Sequence, residues 1–114
     1  MIAVIFEFTP AEGRFGDYKA LAEGLGDVVK DFDGFISIER FESISNKGKF
    51  VSLSFWRDEE AVRNWRNVQK HREAQKKGRA SIFRSYRLRI ASVLRDYGMD
   101  ERAQAPRDSV EAHG

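Results

Sequence analysis

The stretch from Phe55 to Arg79, FWRDEEAVRNWRNVQKHREAQKKGR, changes from strand-like to helix-like periodicity within a few residues, and the rest of the fold follows from that change. Asp58 can accept hydrogen bonds from the free amides of a first helical turn, and Glu59 and Glu60 complement its positive end. Lys76, Lys77 and Arg79 suit the negative end, and Gly78 can adopt the left-handed conformation that stops a helix. These signals predict a helix from Asp58 to Gly78. On a helical projection Ala61, Val62, Trp65, Val68 and the stem of Arg72 share one face. His71 and Gln75 form an i, i+4 pair on its border. Trp65 reads first as a core residue, its indole also able to serve as a pocket wall, and His71 as a half-exposed imidazole at the margin of that face.

Working outward, Ile2 to Phe8 places Ile2, Val4, Phe6 and Phe8 on one side of a strand and Ala3, Ile5 and Glu7 on the other, so both sides are largely apolar. Thr9-Pro10 is expected to end it. A helix follows from about Asp17 to Asp31, with Tyr18, Leu21, Leu25 and Val28 as its stripe, and Asp33-Gly34 marks a turn. Phe35 to Phe41 and Lys49 to Trp56 alternate on either side of the polar turn Ser45–Gly48, which predicts a hairpin. A last strand, Ser85 to Leu94, sets Tyr86, Leu88 and Ile90 against Arg87, Arg89 and Ala91. The order strand, helix, strand, strand, helix, strand predicts an α+β, ferredoxin-like domain over residues 1–98: a four-stranded antiparallel sheet with two helices on one face. Residues 99–114 are polar and without period, and are expected to form a mobile tail. The face opposite the helices is apolar enough to need a cover, and a second copy of the same sheet is the expected one, giving a homodimer.

A chain of 114 residues without cysteine excludes disulfides, thiolate metal sites and a cysteine nucleophile. No apolar run approaches the ~20 residues of a membrane span, and MIAVIFEF lacks the basic start of a signal peptide, so a soluble cytoplasmic protein is expected. The net charge of +2 conceals an asymmetry: eleven Lys and Arg against Glu73 alone lie between Ala61 and Arg95. Such a stretch attracts anions. It carries no RNP-like strand, GXXG loop, zinc-finger spacing or helix-turn-helix signature, so nucleic-acid binding is not expected, and an anionic small molecule, an acidic face of a partner subunit and a solvated surface are the readings left open.

With FW56, DEEA, Trp65, the H71REAQ75KKGR79 run and the closing YRLRIASVLRDYG strand in this order and spacing, residues 1–98 resemble the antibiotic biosynthesis monooxygenase (ABM) family. The resemblance implies a dimeric α/β barrel. It also implies one of several activities: cofactor-independent oxygenation of polyketide-type quinols, quinol oxidation or haem degradation. Fold is constrained more tightly than reaction. The haem degraders are similar at Trp65, whose indole there shapes the haem pocket. Their iron-ligating histidine, however, falls at Gln75 and their catalytic asparagine at about Phe6. His71 lies one turn before Gln75. The expectation drawn from the resemblance is an oxygenase that needs no cofactor or metal. In it His71 is the base and Trp65 the second catalytic candidate, Phe6, Phe8, Trp65 and Tyr86 line the pocket with Gln75 as a further substrate contact, and Arg72 or Arg87 stabilises the substrate anion. The alternatives are a haem-binding or haem-degrading enzyme and a non-catalytic dimeric ligand-binding module.

Overall fold

The computed structural model describes residues 1–75 and 82–114, except for the side chains of 70–75. The elements are β1(Ile2–Pro10), α1(Phe15–Val29), β2(Phe35–Glu42), β3(Phe50–Trp56), α2(Glu59–Gln75), β4(Phe83–Ser92) and α3(Arg107–His113). The antiparallel sheet has the order β2-β3-β1-β4, so β1 and β3, the strands that lead into α1 and α2, lie side by side at its centre. This is the ferredoxin-like α+β arrangement expected from the periodicity.

Several boundaries shift by one or two residues from the sequence reading, and two of the shifts have a visible structural setting. β1 continues through Thr9 and Pro10 because its pairing with β3 ends at Phe8↔Phe50, so a proline beyond that point removes no donor from the β3 ladder. α1 starts at Phe15, with Arg14 as N-cap residue and an Arg14–Asp17 ion pair across its first turn. The proposed stop of α2 at Gly78, together with Lys76, Lys77 and Arg79, lies outside the described residues.

The register decides which sheet face meets the helices. Ile2, Val4, Phe6 and Phe8 of β1 lie beside Trp56, Ser54, Ser52 and Phe50 of β3, and this is the face on which α1 and α2 pack. Trp56 is 2% exposed and donates its indole N–H to Ser54 Oγ at 2.9 Å, which satisfies the one polar atom of a large buried ring. Val51, Leu53 and Phe55 occupy the opposite face with Ala3, Ile5 and Phe41. There an ion pair between Arg89 Nη1 and Glu7 Oε2 (2.8 Å) lies next to the apolar residues.

Asp58 caps α2 as expected, its Oδ1 accepting from the Ala61 amide at 2.9 Å. Arg57 ties this cap to the turn before β2, donating to Asp33 Oδ1 and Oδ2 at 3.0 and 3.2 Å, while its own amide donates to Gly34 O at 2.8 Å. The Arg57 guanidinium lowers the pKa of Asp33, chiefly by hydrogen bonding; the Ala61 amide and then Arg57 lower that of Asp58. Carboxylates held below their unfolded values stabilise the fold above those values, and the contribution disappears as pH falls through the folded ones. Gly34 has φ +86°, and a Cβ there would sit 2.4 Å from Ala61 Cβ. Gly34→Ala is therefore expected to destabilise the protein by about 1–3 kcal/mol, through a left-handed backbone and a collision with the first turn of α2. Denaturant unfolding measures it, and an unchanged midpoint would contradict the close approach.

The polar segment from Met99, expected to be without regular structure, contains α3. No apolar stripe nucleates it. Its organiser is Arg102, which donates to Gly114 O (2.8 Å), Gly98 O (3.1 Å) and Ser109 Oγ (2.8 Å) and lies over the Tyr97 ring at 5.4 Å. α3 buries none of its residues. Truncation after Gly98 should accordingly shift the melting temperature by less than about 4 °C, the change that 1 kcal/mol produces in a domain of this size. A larger drop in a thermal melt would mean that the segment supports the body of the protein.

Candidate functional site

Two aromatic clusters pack between the helices and the sheet. The first is built on Val29, Trp56, Ala61, Val62 and Trp65, with Ile2, Val4 and Phe32 packed against it. Trp65 is 8% exposed, its ring centroid 5.2 Å from that of Phe32 and 6.1 Å from that of Trp56. It is a core residue. The second cluster is built on Phe8, Tyr18, Ala22 and Ile82, with Phe6, Phe50 and Phe83 packed against it. The clusters meet along β1, where Val4 belongs to one and Phe6, two residues on, to the other.

Three of the residues read from the sequence come together in the second cluster. Phe6 stands 5.2 Å from Phe8 and 5.6 Å from Tyr86, with Phe83 edge-on at 5.3 Å. They differ in what they can touch. Phe8 is 1% exposed and enclosed by Tyr18, Phe50, Phe83 and Phe6, a core position. Tyr86, on edge strand β4, is 66% exposed, and Phe6 lies between the two extremes. The rings thus form a wall that opens from the core towards solvent.

Arg87 does not belong to this wall. It pairs in register with Glu7, on the sheet face opposite Phe6, Phe8 and Tyr86, because neighbouring strand residues point to opposite sides. Trp65 is likewise in the other cluster. The side chains of His71, Arg72 and Gln75 lie outside the described residues. The path of their helix is described, however. α2 follows β3 and must run back antiparallel to it. Ten residues from Trp65 to Gln75 advance about 15 Å, against about 20 Å for β3 from Trp56 back to Phe50. The last turns of α2 therefore travel towards the end of the sheet that holds Phe8, Phe83 and Tyr86.

Sequence reasoning missed Phe83, which joins Phe6 to Tyr86. It also missed a polar pair beside the second cluster. Arg40 Nε on β2 donates to the Tyr18 hydroxyl on α1 at 3.0 Å. Burial raises the pKa of this phenol, and the nearby Arg40 charge opposes the rise. No local signal marks a pair of residues 22 positions apart on different elements. Among the described residues no group of three His, Cys, Asp or Glu side chains could hold a metal ion, and no helix is long and apolar enough to cross a membrane.

With this geometry in place, the chain was compared with known proteins. The family model for antibiotic biosynthesis monooxygenase matches residues 1–77. The jasmonate monooxygenase ABM of Pyricularia oryzae is 42% identical over 93 residues, covering 82% of this chain and 43% of that protein, so this chain spans less than half of that relative's length. The Bacillus subtilis protein YqjZ is 32% identical over 93 residues, covering 82% of this chain and 79% of YqjZ. Among solved structures, Rv0793 of Mycobacterium tuberculosis superposes with a TM-score of 0.71 at 20% identity, over 85% of this chain and 98% of that one. The fold is shared with SnoaB, a cofactor-independent oxygenase from Streptomyces nogalater (TM-score 0.65, 11% identity, 83% and 94% coverage). It is shared too with the haem degrader MhuD of Mycobacterium tuberculosis (TM-score 0.66, 16% identity, 86% and 100% coverage). The family match over residues 1–77 and the two relatives above 30% identity establish that the chain belongs to the antibiotic biosynthesis monooxygenase family.

Proposed function

We propose that the protein is a cofactor-independent monooxygenase of a small aromatic, quinol- or polyketide-like substrate bound between the helices and the sheet. The observation that carries this reading is the ring wall of Phe6, Phe83 and Tyr86, graded from core to solvent, at the end of the sheet towards which α2 runs. A flat apolar substrate stacks on such a wall, and a shielded site keeps water from a reactive intermediate. In this reading His71 takes a proton from the phenol or quinol, and the resulting electron-rich anion reacts directly with dioxygen. Arg72 stabilises the anion, and Gln75 contributes a polar contact from the same helix. The jasmonate monooxygenase relative and the SnoaB fold support oxygenation as the reaction class.

The apolar sheet face of Ile5, Val51, Leu53, Phe55 and Phe41 is assigned to a homodimer interface, since leaving it wet would expose a contiguous patch. The absence of cysteine accords with a cytoplasmic protein. Haem fits the described residues poorly. Where the haem degraders have their asparagine, this chain has Phe6, whose ring packs on Phe8, Phe83 and Tyr86 and offers no hydrogen bond.

The test is an oxygen-electrode assay with anthrone or hydroquinone in the presence of a chelator and without added haem or flavin. Enzyme-dependent oxygen uptake is expected, and its absence with both compounds would remove the oxygenase reading. A parallel haem titration should give only a weak Soret change and no ring cleavage with ascorbate. A tight complex that turns over would replace the proposal with haem degradation. Light scattering over a concentration series should report a dimer.

A further inference from the structure

We infer that Tyr18 and Arg40 anchor the oxyanion of a bound ligand, a flat apolar molecule bearing a carboxylate or phenolate. On the helix side one row runs Arg40, Ser52, Phe6, Leu88 across β2, β3, β1 and β4. One half of the row is polar and the other apolar, and Tyr18 of α1 meets the polar end through its hydrogen bond with Arg40 at 3.0 Å.

Tyr18 is 9% exposed, with its ring 4.3 Å from that of Phe8, so its hydroxyl is the polar end of a buried aromatic cluster. That oxygen accepts from Arg40 and keeps its own proton, for which no acceptor exists among the described residues. Burial favours the protonated phenol, so the group is a donor at neutral pH. Arg40 uses only Nε on Tyr18. Among the described residues no carboxylate pairs with Arg40, whereas Arg57 binds Asp33 and Arg89 binds Glu7. Glu42, on the same sheet side, accepts from the Gly48 amide. Ser52, opposite Arg40 in the register, has a hydroxyl without a partner among the described residues.

The remaining two guanidinium nitrogens of Arg40, the Tyr18 phenol proton and the Ser52 hydroxyl thus have no acceptor among the described residues, on the polar half of the row that continues to Phe6. A forked guanidinium with an adjacent hydroxyl is the donor set that recognises a planar oxyanion. A purely structural role for Arg40 would be complete with the Tyr18 bond alone. The inference rests on the proposed oxygenase only for the flat apolar body of the ligand. Because it concerns equilibrium binding, failure of oxygenation and failure of the anchor are read separately.

The experiment titrates 2-naphthoate and 4-nitrophenolate into the parent protein and the variants Arg40→Gln, Tyr18→Phe and Arg84→Gln, following tryptophan fluorescence. The neutral 2-naphthamide is the control ligand, and thermal melts report the fold of each variant. For at least one anion Arg40→Gln should weaken binding by about tenfold or more, and Tyr18→Phe by about three- to tenfold, as expected for lost charge-assisted and neutral hydrogen bonds. Arg84→Gln, on exposed β4, should leave the affinity unchanged, and 2-naphthamide should not respond to Arg40→Gln. The anion that shows the losses identifies the headgroup. Failure of the parent to bind either anion, or equal affinities in parent, Arg40→Gln and Tyr18→Phe, would overturn the inference. So would an equal loss in Arg84→Gln. Should Tyr18→Phe fail to fold, Arg40→Lys keeps the test decisive: it retains the charge but not the fork and should restore only part of the affinity, and full restoration would also count against the site.

Discussion

Replacing Trp65 with alanine should destabilise the protein by about 3–5 kcal/mol, the range for removing a large buried aromatic side chain. The indole is 8% exposed and joins three elements: α2, which carries it, Trp56 of β3 at 6.1 Å, and Phe32 at 5.2 Å in the connection after α1. Truncation leaves a void bounded by Val29, Trp56 and Val62, and none of these can move in without breaking contacts with Ile2, Phe35 or Ile38. The measurement is the urea midpoint at constant m-value. A loss below about 1 kcal/mol would show that the indole borders open space rather than a packed core. Trp65→Phe, which keeps a ring against Phe32, should recover part of the loss.

Removing the imidazole of His71 should lower quinol-dependent oxygen uptake by about 10²–10⁴-fold, the usual contribution of a general base. Stability should change by less than about 1 kcal/mol, as for a residue on the border of the buried face. His71 is one of two histidines in the chain, and the other, His113, lies on α3. Uptake in His71→Ala equal to that of the parent would remove the base assignment and leave proton abstraction to another group.

The helices and strands were legible in the sequence wherever a local interaction sets them. Asp58 caps α2 through a bond to an amide three residues away, and that bond needs nothing from the rest of the molecule. The alternation of Ile2 to Phe8 and of Phe50 to Trp56 is written into successive residues, and the order of the elements leads directly to β2-β3-β1-β4. The family resemblance was legible for the same reason, since it rests on elements in order.

Packing was a different matter. Both faces of β1 and β3 carry apolar side chains, so alternation separates the faces without saying which one the helices cover. The face with Ser52 and Ser54 was covered because Trp56 and Phe50 fill its ends and Ser54 satisfies the indole. Tertiary structure alone placed Trp65 in one cluster and Phe6 with Tyr86 in another. It alone turned Arg87 to the far side of the sheet, brought Arg40 to Tyr18 across 22 residues, and formed α3 around Arg102. Periodicity depends on neighbours along the chain, whereas these contacts depend on the register of paired strands and on hydrogen bonds between elements, neither of which leaves a local pattern.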